Sequence, residues 1–273
     1  MRPRADHVKP SASPTTDRQA RRRRPIHGVQ QTVQAIRHAV QIGVRWLLRQ
    51  EASVLVAVLS VVLAVFGFVK IVEQLGKGEL GGFDEWLLRL LRVPGQPRIP
   101  IGPAWLVEAA HDITALGGRS ILIAVTLVGL GYLALERKHG AAVLVAVAVG
   151  GGGLLSTIMK QIFARDRPDV VPHLVAVTSP SFPSGHSMLA AILYLTLGAL
   201  LARFAARRRT KVYVLTVALL ATFLIGSSRV YLGVHYPTDV LAGWCAGLVW
   251  ALICWLVARY LQDSGAVEKP GRG

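Results

Sequence analysis

Six long apolar runs separated by short charged or glycine- and proline-rich breaks constrain this chain more than any other feature. They cover about Ser53–Val72, Ser120–Leu135, Ala141–Met159, Ser187–Leu201, Val212–Ser227 and Thr238–Val257. A helix crossing a bilayer needs about 20 mostly apolar residues, because the hydrocarbon interior offers backbone groups no partner outside the helix itself. The expectation is an all-α integral membrane protein with six transmembrane helices. Composition agrees: 52% of the 273 residues are apolar and 17% charged, against about a quarter charged in soluble proteins. A secretory signal does not explain the first run, since some fifty residues precede it and no small-residue cleavage site follows.

The chain then divides into residues 1–28, a basic arm rich in Pro, Ser and Arg that reads as disordered; 29–50, a helix; 51–260, the six-helix domain; and 261–273, a cytoplasmic tail. In 29–50 the residues Val29, Val33, Ile36, Val40, Val44 and Leu47 recur at spacings of three and four. That is the pattern of an amphipathic helix lying on a membrane surface, with a soluble helix packed on a partner as the alternative. Net charge is +16. Eleven Lys or Arg against Asp6 and Asp17 fall in the first fifty residues, which suits anionic lipid headgroups; nucleic acid ranks second because apolar spans follow at once.

Between Glu73 and Arg119 the sequence is mixed, with three prolines from Pro94 to Pro100. The apolar stretches Trp86–Leu91 and Trp105–Ala110 are too short to span and read as interfacial helices. His111 and Asp112 precede Gly117 and Gly118, so a helix end and turn explain that stretch as well as a catalytic role does. Gly150–Gly153 lacks the Lys-Ser or Lys-Thr of a phosphate loop and reads as close helix packing. Cys245 and Cys254, nine residues apart on one helix, are beyond disulfide reach.

Cationic and nucleophilic chemistry gathers in three clusters near span ends: Lys160, Arg167 and Pro168 in KQIFARDRP; Pro183, Ser184, Gly185 and His186 in PSGH; and Ser228, Arg229, His235 and Asp239 in SRVYLGVHYPTD. Fixed cations aimed at the equatorial oxygens of a phosphoryl group lower its transition state, and Lys160, Arg167 and Arg229 supply them. Lys160 and Arg167 share one face if their helix runs that far. Ser184 stands where an N-cap belongs, leaving the N–H groups of Gly185, His186 and Ser187 as an anion site. Pro237 suits a first helical turn, from which Asp239 reaches back to His235 and leaves one ring nitrogen free to attack. His186 is then the acid and base for the leaving oxygen and for water. No metal or cofactor is required by this set.

The clusters resemble the three-part signature of the type 2 phosphatidic acid phosphatase (PAP2) superfamily, K-x6-RP, PSGH and SR-x5-H-x3-D, at all eleven specified positions. The resemblance implies that Lys160, Arg167, Ser184, Gly185, His186 and Arg229 bind phosphate, that His235 is the nucleophile and Asp239 its partner, and that His186 is the acid/base. It implies a membrane phosphatase acting on a lipid phosphate or diphosphate through a phosphohistidine. Phosphatidic acid, phosphatidylglycerol phosphate and undecaprenyl diphosphate are the candidate substrates. Soluble acid phosphatases and vanadate-dependent haloperoxidases of the superfamily are disfavoured by six spans. A phosphate-binding transporter or scaffold without turnover is the alternative from another class.

Basic residues lie in the N-terminal arm, at Arg137 and Lys138, and from Arg203 to Lys211, while Glu73–Arg119 balances five basic residues with six acidic ones. The positive-inside tendency therefore puts both termini in the cytoplasm and the site at the extracytoplasmic helix ends.

Overall fold

The apolar runs become helices wherever the sequence lacks proline, and the computed structural model describes them over residues 52–263, together with Gln34, Arg37 and Gln41. The expected arm at 1–28, the amphipathic helix at 29–50 apart from those three helical positions, and residues 264–273 lie outside the described residues. The chain divides at Leu55 into two units, and every candidate site residue belongs to the second, 56–273.

The described elements run in the order α1 (Ala52–Lys77), α2 (Gly81–Leu90), β1 (Arg92–Val93), β2 (Gln96–Pro100), α3 (Ala104–Ala115), α4 (Arg119–Leu135), α5 (His139–Phe163), α6 (Gly185–Phe204), α7 (Arg208–Tyr231) and α8 (Pro237–Asp263). Five helices, α1 and α5 to α8, are long and apolar enough to cross a membrane. The second expected span is the exception. At 17 residues α4 is short, but with α3 it forms a pair bent by 48° that passes the same test together. The bend falls where Leu116, Gly117 and Gly118 each donate a backbone N–H one turn back and close α3, so the turn reading of that stretch holds. The other departure is a short antiparallel hairpin, β1 with β2, in a stretch expected to hold only helices and breaks.

Large apolar side chains such as Leu59, Leu63, Phe66, Leu127, Val128, Leu219 and Phe223 face outward, as a lipid-facing surface requires. Packing inside depends on small residues. α6 is the central helix, with 56% of its apolar window buried against 17% for α1. α8 lies against it through Gly243 and Gly247: a Cβ at Gly243 would stand 2.7 Å from the Ser184 carbonyl oxygen, and one at Gly247 2.6 Å from that of Met188. Among the four consecutive glycines, Gly151 and Gly152 receive the Trp250 ring and the Ile192 side chain, so close packing is their role. Cys245 and Cys254 are free thiols.

The helix ends sort into two groups. Lys138, in the turn before α5, lies 4.0 Å over the Phe204 ring at the end of α6, and Arg203 donates to Gln262 near the end of α8. The basic turns therefore share one end of the bundle with the C-terminus of α8. At the opposite end lie the last turns of α5 and α7 and the first turns of α6 and α8.

Candidate active site

That opposite end brings all three clusters together. Helix α5 ends at Phe163 and Ala164 turns left-handed at φ 42°, so Arg167 stands on the following loop and not on the helix face of Lys160. The loop does what the helix was expected to do. Arg167 Nε donates to Ser179 O at 2.8 Å, its NH1 donates to Val234 O at 2.5 Å, and the same nitrogen lies 3.4 Å from His235 Nε2. Lys160 Nζ donates to the carbonyl of Pro180.

Ser184 caps α6 as the sequence predicts, and its hydroxyl oxygen accepts two bonds while its own proton stays available to donate. It is wholly buried, accepts the Ser187 hydroxyl at 2.9 Å and takes the Ser187 N–H at 3.5 Å. Of the three expected anion-binding N–H groups, that of Ser187 is thus occupied, and the end of α6 presents those of Gly185 and His186. A Cβ at Gly185 would lie 3.4 Å from Lys160 Cε, which places that lysine against the start of α6. On α6's first turn His186 packs beside Gly117, whose Cβ would come within 3.2 Å of its ring.

Arg229, on the last turn of α7, is nearly buried and donates from NH1 to Thr114 Oγ1 of α3 at 2.9 Å. His235 occupies the tight connection between α7 and α8, with 2% of its surface exposed. Its Nδ1 faces Asp239 Oδ2 at 3.5 Å without a formed hydrogen bond, while Nε2 faces Arg167. Burial pushes the His235 imidazole down from 6.5 to about 4, with Asp239 opposing the shift and Arg167 and Arg229 adding to it. That shift favours the neutral ring.

Asp239 is the hub. Its Oδ1 accepts Arg165 NH1 at 2.6 Å, its Oδ2 accepts the Ser181 hydroxyl and the Tyr236 N–H, the latter at 2.9 Å, and its carbonyl accepts the Ser184 N–H at 2.9 Å. Sequence reasoning missed Arg165, Ser181 and Asp84. Arg165 NH2 donates to Asp84 Oδ2 at 2.7 Å, and its guanidinium lies 4.1 Å over the Tyr236 ring. Burial disfavours the Arg165 charge, but Asp239 and Asp84 outweigh it and raise its pKa. Asp84 stands next to Glu85 between Phe83 and Trp86, and nothing local sets it apart from that neighbour. Among the described residues no group of three His, Cys, Asp or Glu is placed to hold a metal ion.

Membrane-crossing helices that close one end around three cations, two imidazoles and a buried carboxylate define an integral membrane protein with a phosphate-handling centre. The PAP2 superfamily profile matches residues 141–263. Phosphatidylglycerophosphatase B of Bacillus subtilis is 40% identical over 149 residues, covering 53% of this chain and 71% of that protein. The lipid A 1-phosphatase of Rhizobium etli is 29% identical, covering 63% and 88%. A crystal structure of a transmembrane PAP2-type phosphatidylglycerolphosphate phosphatase from Bacillus subtilis superposes with a TM-score of 0.68 at 29% identity, covering 77% of this chain and 99% of that one. The chain belongs to the PAP2 superfamily, and it is a multi-pass membrane lipid phosphatase.

Proposed function

We propose that His235 attacks phosphorus through Nε2 and becomes transiently phosphorylated. The observation that carries this is the placing of the ring between Asp239 on Nδ1 and Arg167 beside Nε2. Asp239 holds the tautomer with Nδ1 protonated and stabilises the positive charge the ring gains on attack. Lys160, Arg167, Arg229 and the N–H groups of Gly185 and His186 receive the equatorial oxygens. As the new P–N bond forms, the P–O bond to the lipid breaks, and His186 gives its proton to the departing oxygen. Water then attacks the phosphohistidine, His186 takes a proton from it, the P–N bond breaks, and inorganic phosphate leaves.

The substrate is a lipid whose phosphate or diphosphate sits at headgroup depth, where the helix ends gather. Phosphatidylglycerol phosphate, phosphatidic acid and undecaprenyl diphosphate are the candidates, the first favoured by the sequence and structure matches from Bacillus subtilis. The basic turns at the opposite end support cytoplasmic termini and an extracytoplasmic site. The basic arm, outside the described residues, would meet anionic headgroups of the cytoplasmic leaflet. Phosphate release by purified protein from a panel of these lipids, in EDTA, tests the reading. Turnover of at least one lipid in EDTA is expected, and failure on all of them, or activity only on adding magnesium, contradicts it.

A further inference from the structure

We propose that Asp84, on the short helix α2, is a positioning residue for the nucleophile, acting on His235 through Arg165 and Asp239. This inference rests on the reading of His235 as nucleophile. Asp84 lies 81 residues before Arg165 in the chain and outside all three motifs, yet it is wholly buried among them. Its Oδ2 accepts Arg165 NH2 at 2.7 Å and the Thr238 hydroxyl at 2.6 Å, and its Oδ1 accepts the Thr238 N–H at 3.1 Å. Thr238 is in the first turn of α8, where a carboxylate is favoured by the helix dipole. The same carboxylate thus fixes the start of the helix that carries Asp239 and one end of the guanidinium that grips Asp239.

The charge count gives Asp84 a chemical consequence as well. One guanidinium serves two buried carboxylates, so the group of Asp84, Arg165 and Asp239 keeps one net negative charge beside the imidazole. Asp239 can stabilise the positive charge on the attacking ring only while Arg165 leaves part of its charge unneutralised. Without the Asp84 charge, all of the Arg165 charge would oppose Asp239. The other groups that act on His235 are cationic or imidazole: Arg167 from the loop after α5, His186 from α6 and Arg229 from α7. Asp84 therefore helps keep the ring basic against a cationic surrounding.

Two variants with opposite expected signs test this. Asp84→Asn keeps the shape and removes the charge, so the acid limb of the kcat/KM profile moves to lower pH by about half a unit or more, and kcat falls about tenfold with KM within about twofold. Arg165→Gln leaves both carboxylates unopposed, so the limb moves to higher pH. The titration of the substrate phosphate is common to all forms and cancels in the comparison. A purely structural part for Asp84 would lower thermal stability and leave the limb in place, and that result overturns the proposal. Should Asp84→Asn not accumulate in membranes, Asp84→Glu, which keeps the charge, is expected to retain the wild-type limb; an unmoved limb in Arg165→Gln then overturns the proposal. Activity retained by His235→Ala would instead reject the nucleophile itself, whereas an inactive His235→Ala beside an Asp84→Asn enzyme of wild-type profile rejects only the part given to Asp84.

Discussion

The backbone N–H of Ser184 donates to the carbonyl of Asp239 at 2.9 Å, which fastens the cap of α6 directly to the first turn of α8. One of these residues caps α6 and the other faces His235, so the bond ties together the two halves of the candidate site. It exists because Gly243, one turn further along α8, lets the helix come this close to the Ser184 carbonyl.

Replacing Gly243 by alanine should therefore separate the halves. Alanine gains about 1 kcal/mol in helix propensity over glycine. Against that, a Cβ 2.7 Å from a backbone oxygen cannot be accommodated by turning a side chain, and such overpacking costs about 1–3 kcal/mol. Overpacking should win, giving a lower melting temperature in detergent together with reduced kcat. Gly131, whose Cβ would meet nothing within 4 Å, is the control, and alanine there should be tolerated.

Arg167 is expected to be irreplaceable by lysine. Its guanidinium simultaneously binds the Ser179 and Val234 carbonyls and faces His235, a division of labour that a single ammonium cannot reproduce. Arg167→Lys should lower kcat/KM about a hundredfold, the scale of losing a fixed transition-state donor. Steady-state kinetics on a soluble lipid phosphate checks this, and near-wild-type activity would show that charge alone suffices.

Thr114 should matter although it carries no charge and lies outside the motifs. It is the hydrogen-bond partner of Arg229 NH1, and Arg229 Nε already lacks one. Hydrogen bonds to charged groups contribute about 1.5–3 kcal/mol, so Thr114→Val should reduce kcat/KM about tenfold or more while the fold survives. Thr114→Ser should restore most of it.

Stability should fall in acid, and His235 should account for part of the fall. His235 titrates at about 4 in the folded protein against an ordinary 6.5, so the unfolded chain binds its proton first as pH drops. The stabilisation is fully present above about pH 6.5 and disappears as pH falls from there toward about 4; a 2.5-unit gap corresponds to roughly 3 kcal/mol. Melting temperature measured from pH 7 to 4 should decline more steeply in the wild type than in His235→Gln. Equal slopes would place the acid sensitivity elsewhere.

The parts legible in the sequence were those carried by local pattern. Spans show in hydropathy, the α6 cap shows in Ser184, and the clusters show because phosphate chemistry needs particular residue types at fixed spacing. What escaped depends on contacts between distant segments. Nothing near Asp84 or Arg165 in the chain announces that they meet. The end of α5 was left open because the left-handed turn at Ala164 lacks the glycine that usually marks such a position. The hairpin at 92–100 was hidden by its prolines, which break helices without specifying which strands pair. The α3–α4 bend could be read as a turn, but not its use: it carries Thr114 to Arg229 and Gly117 to His186.

Trapping the covalent intermediate tests the central claim most directly. Purified enzyme given a lipid labelled with radioactive phosphorus in its terminal phosphate, then quenched in alkali within the first turnover, should carry one acid-labile, alkali-stable phosphoryl group on the peptide containing His235. The label should be absent from His235→Ala and retained longer in His186→Ala. Label on a different residue, or His235→Ala turning over at the wild-type rate, would contradict the account.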